Sequence, residues 1–218
     1  AEPVAAPRAG VEIDVTREPL GVIGIIAPWS APLAIAAAKV GAALAHGNCV
    51  VFKPAESAPA CAAALASIIN RAGLPAGVFN LVMGSGREVG ARIAAHPLVA
   101  AVSFTGSAET GTRVLQAAAA RQARVQLEMG GKNPFVVLAD AELDGAVDAA
   151  LTGAFGFAGQ RSTAASRLIV ERAVFEPFVD ALRTKLARLS VDHALKHGTD
   201  IGPLANAAQL ARNLDYMR

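Results

Sequence analysis

Short apolar runs recur along the chain, each followed by a turn and an alanine-rich stretch. The runs are Val22–Ala27, Cys49–Phe52, Val78–Val82, Ala100–Phe104 and Val125–Glu128, with starts 27, 29, 22 and 25 residues apart. Runs this short and nearly continuous in apolar residues predict strands buried on both faces. The segments between them predict helices. Residues 33–46 are closed by Gly47, and residues 57–73 open with Ser57 and Pro59 and close at Gly73. Residues 86–95 end before Pro97, and residues 107–120 open with Ser107. Strand and helix alternating at this spacing predict βαβ crossovers, hence an α/β chain with a doubly wound parallel sheet. Such sheets bind ligands beyond the carboxyl ends of their strands, so the residues just after each strand are the informative ones.

After Glu128 the rhythm changes. MGGKNP reads as a turn, followed by a strand over 135–139, a helix over 143–157, a strand over 168–170 and an amphipathic helix over 174–189. Gly130-Gly131 is the best domain boundary, and residues 10–18 alternate well enough to form a strand outside the main sheet.

Composition narrows the class. Hydrophobic residues make up 53% of 218, but 50 of them are alanine and only 5% of the chain is aromatic, which predicts a core of Val, Leu and Ile under closely packed helices. Charged residues at 17% fall below the usual quarter and exclude intrinsic disorder. Two cysteines exclude a disulfide scaffold; Cys49 and Cys61 read as lone buried thiols in a reducing cytoplasm. A net charge of +2 without a basic run leaves no footprint for nucleic acid. The opening AEPVAAPRAG is not a secretory signal. Residues 19–38 carry no charge over the length of a membrane span, but Pro28 and Pro32 interrupt them, so a strand, a turn and a buried helix are predicted and no membrane partner.

The post-strand segments carry the candidate chemistry. GSGREVG (84–90) is either a glycine turn into a helix or a backbone approach to a nucleotide. In FTGS (104–107), Gly106 permits close backbone approach, and Ser107 offers a hydroxyl and N–H at a helix start, suited to an anion or to an ordinary N-cap. Lys53 and Glu56, in KPAE, are either a grip for ribose hydroxyls or a solvent-facing ion pair. Glu128 ends a strand before two glycines. Poor solvation there would raise its pKa toward that of a general base; otherwise adjacent N–H groups satisfy it. Ser162 lies in a loop of small residues, GQRSTAASR (159–167).

In this order PWSAP (28–32), KPAE, FTGS, LEMGGKNP (127–134) and GQRSTA (159–164) resemble the signature blocks of the NAD(P)-dependent aldehyde dehydrogenase superfamily, from about residue 10 to the end. The wording of LEMGGKNP and RAGLPAGVFNLVMG is similar to the semialdehyde branch, such as 2-oxoglutarate semialdehyde dehydrogenase. The resemblance implies a Rossmann-like sheet followed by the start of an α/β catalytic domain. It divides the chain into residues 1–18, a strand or linker segment suited to oligomer contacts, residues 19–129, the NAD-binding domain, and residues 130–218, the first part of the catalytic domain. It implies oxidation of a small aldehyde to a carboxylic acid, in a homo-oligomer. Glu128 would be the general base, Ser162 would stand at the nucleophile, and Ser30 at the oxyanion donor. Lys53 and Glu56 would hold the adenosine ribose, Ser107 the pyrophosphate, Gly86 and Gly90 would admit the backbone to the cofactor, and Trp29 would line the nucleotide cleft. A carboxylate at Glu56 favours NAD over NADP.

Three departures qualify that expectation. The family has Cys where this chain has Ser162, and a hydroxyl is far less ionised than a thiol, so an impaired or inactive chain is implied. The family has Asn where this chain has Ser30, a shorter donor; losing such a donor outright costs roughly 10²–10³ in rate. The family's chains are also longer, so both ends read as truncated. An engineered Cys→Ser change, a natural loss of activity and a working Ser enzyme all remain open, as do a non-catalytic nucleotide-binding or assembly module and a Ser-dependent esterase.

Overall fold

The computed structural model describes residues 2–218, in two compact units that meet in sequence at Met129 and Gly130. In the first unit β1 (Glu2–Val4) and β2 (Ile13–Val15) form an antiparallel pair, exposed throughout. The main sheet has β3 (Val22–Ile26), β4 (Cys49–Lys53), β5 (Phe79–Leu81), β6 (Val99–Gly106) and β7 (Arg124–Met129), all parallel, in the order β5-β4-β3-β6-β7. The chain winds outward from β3 in one direction, then returns to β6 and winds in the other. That reversal puts a topological switch point at the carboxyl ends of β3 and β6.

The apolar pattern accounts for the layers. On one face Ile23, Ile25, Val50 and Phe52 pack under α1 (Ala34–Ala45) and α2 (Pro59–Arg71). On the other, Ile26, Val102 and Phe104 pack under α3 (Ala91–Ala95) and α4 (Ala108–Ala119). The small Ala36, Ala62 and Ala118 are fully buried at these interfaces, where the missing bulk lets helices approach the sheet. The uncharged stretch 19–38 divides into β3, a turn and the first part of α1. No described helix is long and apolar enough to cross a membrane.

Several expectations change. β5 and β7 are edge strands, so neither is buried on both faces, and polar residues of β7 face solvent. The segment expected as a helix from residue 86 begins with a π-helical turn, Gly86–Gly90, capped by Ser85. Cys49, at the start of β4, and Cys61, in the first turn of α2, are free but only half-buried rather than buried, as element ends are less covered than their middles.

In the second unit β8 (Asn133–Val137) pairs in parallel with β9 (Ala165–Val170). Val137, Val147, Ala150, Phe178 and Leu182 form its core under α5 (Leu143–Phe155) and α6 (Phe175–Leu186). β8 starts inside the segment read as a turn, because Asn133 pairs with Ala165 one residue before Pro134. β9 starts three residues earlier than read. A further helix, α7 (Ala207–Tyr216), capped by Asn206, has no counterpart in the sequence reading.

Candidate functional site

The first unit's candidate residues lie just beyond the carboxyl ends of the parallel strands. Trp29 and Ser30 are half-buried in the turn between β3 and α1. Lys53 is the last residue of β4 and is buried, its Nζ donating 2.7 Å to the Pro54 carbonyl. Burial pushes its pKa below the ordinary lysine value of 10.5, and the nearby Glu56 carboxylate opposes that shift. Glu56 accepts a 2.9 Å hydrogen bond from the Gly86 N–H. Gly90 is buried, and a Cβ there would make ordinary contact with the Lys53 stem at 3.7 Å. Lys53, Glu56, Gly86 and Gly90 therefore form one contiguous corner. Ser107 caps α4: its Oγ accepts from the Thr110 N–H at 3.3 Å and donates to Thr110 Oγ1 at 3.0 Å. The ordinary N-cap is thus present, with the remaining first-turn amides suited to an anion. At Gly106 a Cβ would stand 2.6 Å from the Phe104 ring, so only glycine leaves that backbone bare.

Glu128 departs from its expectation. Its side chain is 53% exposed rather than poorly solvated, and side chains, not the neighbouring glycine amides, hold it. Thr105 Oγ1 donates to one carboxylate oxygen at 3.0 Å, and Gln126 Nε2 to the other at 3.1 Å. The Lys39 ammonium lies 3.4 Å away, on a side chain that is only 6% exposed. Lys39 Nζ donates to Ser103 Oγ at 2.9 Å, which donates in turn to Gln126 Oε1 at 2.5 Å. The register explains the cluster: Ser103 pairs with Gln126 and Thr105 with Glu128, so period-2 alternation puts all four on one face, opposite Lys39 on α1. Lys39, Ser103, Gln126 and Glu128 border a groove of about 1370 Å³ that also reaches Arg124, His46 and Asn48.

Lys39, Ser103, Thr105 and Gln126 were missed in the sequence reading. A signal was there: Lys39 is the first charge after the uncharged stretch, and the polar residues alternate within apolar strands.

Ser162 lies exposed in the second unit, in a turn over 161–164 closed by a 3.1 Å bond from the Ala164 N–H to the Arg161 carbonyl. The approach to it is strained. Phe157 and Ala158 take φ of 55° and 57°, a region that costs a non-glycine residue about 1–3 kcal/mol. Restraints hold this loop: the Arg161 guanidinium stacks 4.1 Å over the Phe157 ring, and Gln160 Oε1 accepts from the Ala205 N–H at 2.8 Å. No cluster of three or more metal-ligating side chains occurs among the described residues.

Comparison with known proteins agrees across the whole chain. The model of the aldehyde dehydrogenase family matches residues 2–218. The chain is 46% identical, over 93% of its length, to an alpha-ketoglutaric semialdehyde dehydrogenase of Bacillus subtilis, of which it covers 41%. Among solved structures it is similar to an NADP-dependent enzyme of E. coli, with a TM-score of 0.95 and 40% identity, over 99% of this chain and 45% of that one. It is likewise similar to a betaine aldehyde dehydrogenase of Staphylococcus aureus solved with NAD+, with a TM-score of 0.94 and 35% identity, over 99% of this chain and 43% of that one. The chain spans about two-fifths of the length of the curated relatives it matches.

Proposed function

The chain belongs to the aldehyde dehydrogenase family, and on that premise we propose that it carries the cofactor corner and the nucleophile loop of an NAD-dependent oxidation of an aldehyde to a carboxylic acid. The observation that carries this reading is the corner at the end of β4: a buried Lys53 ammonium beside Glu56, whose carboxylate is held by the Gly86 N–H.

That donor set fits a dinucleotide. Lys53 and Glu56 together offer a cation and an anion to the two hydroxyls of a ribose, and a carboxylate there disfavours a 2′-phosphate. The first-turn amides of α4 suit a pyrophosphate, and Trp29 offers a flat apolar wall. Bound there, NAD would accept the hydride released as the aldehyde is oxidised.

This chain's own residues take the remaining tasks. Ser162 supplies the nucleophilic oxygen: its Oγ bonds to the aldehyde carbon while its proton passes to the aldehyde oxygen, and loss of hydride from that hemiacetal, with its hydroxyl proton released to water, leaves an oxygen ester. Ser30 offers its hydroxyl to the developing oxyanion. Glu128 takes a proton from the water that cleaves the ester, freeing Ser162 and the acid. Lys39, Thr105 and Gln126 orient the Glu128 carboxylate before it acts.

The substrate class favoured is a semialdehyde, after the Bacillus relative. A homo-oligomer and a reducing cytoplasm accompany the reading, the latter in keeping with free Cys49 and Cys61. The second reading is a module that binds nucleotide without turnover, and Ser162 at the nucleophile position is what favours it. NADH formation with 2-oxoglutarate semialdehyde and with betaine aldehyde, for the protein and for Ser162→Cys, separates the two. Turnover by the protein itself, raised further by the thiol, supports the first; NAD-induced thermal stabilisation with no turnover by the protein itself supports the second.

A further inference from the structure

Asn133 is the first residue of β8 and faces the nucleophile turn. Its Nδ2 donates to two main-chain carbonyls, that of Ser162 at 2.7 Å and that of Ala164 at 3.1 Å. Both partners are acceptors, so the carboxamide nitrogen must face them, and its two N–H groups are both engaged. A local irregularity of the sheet aims it there. The register runs Asn133 to Ala165 and then Pro134 to Arg167, skipping Ser166, and such a bulge redirects a side chain.

Peptide planarity turns those bonds into control of the Ser162 side chain. The bond from the Ala164 N–H to the Arg161 carbonyl holds the plane that also carries the Ser162 N–H. The Asn133 bond to the Ser162 carbonyl holds the next plane along. With the planes on either side of its Cα fixed, Ser162 has its Cβ direction and its N–H direction set together. One is the direction of the nucleophile and the other that of an oxyanion donor. Asn133 touches neither reacting atom.

We infer that Asn133 is the positioning residue of the nucleophile turn, fixing through the Ser162 and Ala164 carbonyls the directions in which residue 162 presents its side chain and its N–H. This also gives Gly131 a task. A Cβ at Gly131 would lie 3.2 Å from Asn133 Oδ1, so the carboxamide would have to give by a few tenths of an ångström.

The inference rests on the catalytic reading of Ser162, and its test keeps the two apart. Ser162→Cys serves as parent, with aldehyde-dependent NADH formation and amide exchange as readouts. Asn133→Asp keeps the shape but sets an acceptor against two acceptors. In the parent it is expected to lower kcat roughly 10- to 100-fold, as sub-ångström misplacement does, with KM for aldehyde and NAD nearly unchanged. Amides over 162–165 are expected to exchange faster, while those of Val147 and Phe178 in the core do not. Asn133→Gln, which keeps the donor on a longer arm, should recover part of kcat. An active parent whose kcat is unaltered by Asn133→Asp overturns the inference, as does an unchanged exchange rate over 162–165. A parent that forms no NADH overturns the catalytic reading instead, and the exchange readout then still decides whether Asn133 holds the turn.

Discussion

The two units present their candidate groups by opposite means. In the first, the candidate positions stand at the carboxyl edge of a parallel sheet whose Ile25, Val50 and Phe52 are fully buried. Backbone regularity does the placing there: once β6 and β7 are in register, Thr105 and Glu128 are neighbours without further support. In the second, Ser162 stands on an irregular loop entered through two left-handed residues. Nothing periodic places it, so individual side chains must, and Asn133, Gln160 and Arg161 each hold one part. A sheet edge distributes the cost of positioning over a whole core, whereas a loop concentrates it in a few bonds. Single substitutions should therefore act locally and sharply in the loop, and in graded fashion at the sheet edge.

The largest expected effect tests the loop. Ser162→Cys should raise aldehyde-dependent NADH formation on the order of 10³-fold, because a thiolate is populated near neutral pH and an alkoxide is not. Initial rates measured by absorbance at equal protein concentration check it. An unchanged rate would mean that the loop no longer presents residue 162 to substrate.

Next comes the independence of the two cores. Phe178 is fully buried in the second unit, and Phe178→Ala should cost about 3 kcal/mol or more. Hydrogen exchange should quicken at Val137, Val147 and Ala150 and stay unaltered at Val50 and Phe52. If β4 quickens as well, the two cores unfold as one cooperative unit.

A smaller effect is expected at the sheet edge. Glu56→Ala removes a carboxylate that accepts the Gly86 N–H and that is proposed to hold the ribose. NAD should bind about tenfold more weakly, in line with a lost charge-assisted hydrogen bond of about 1.5 kcal/mol, while discrimination against NADP narrows. Titration calorimetry with each dinucleotide separates the two consequences.

What could be read from the sequence follows the same division. Trp29, Lys53, Glu56, Ser107 and Glu128 are legible as strand-end candidates because each closes or follows an apolar run, and apolar runs are visible locally. The partners of Glu128 were not found, because Lys39 reaches it only through the packing of α1 on the sheet, which no local pattern encodes. The solvation of Glu128 was misjudged for a related reason. β7 is an edge strand with exposed polar positions, whereas its apolar run predicts an interior one. The role of Asn133 was hidden twice over, by a bulge and by the proline that follows it, which made LEMGGKNP look like a turn throughout. α7 escaped because none of its residues is buried, so its stripe of Leu210 and Leu214 stood without a recognisable partner.

The smallest effect is the most diagnostic of the β4 corner, and it concerns pH. Burial lowers the Lys53 pKa below 10.5, so the folded protein releases that proton at a pH where the unfolded chain still holds it. Because the unfolded state binds more protons in that window, the Lys53 contribution to stability rises with pH from the lowered value up to 10.5. NAD affinity should move the other way, since loss of the ammonium removes a donor to the ribose. Wild-type protein should therefore bind NAD progressively more weakly through this window while its Lys53-dependent stability increases. Lys53→Met should abolish both trends, and subtracting its profile isolates the Lys53 contribution. Parallel profiles for the two proteins would show that the ammonium is spent on the Pro54 carbonyl alone and has no part in holding the cofactor.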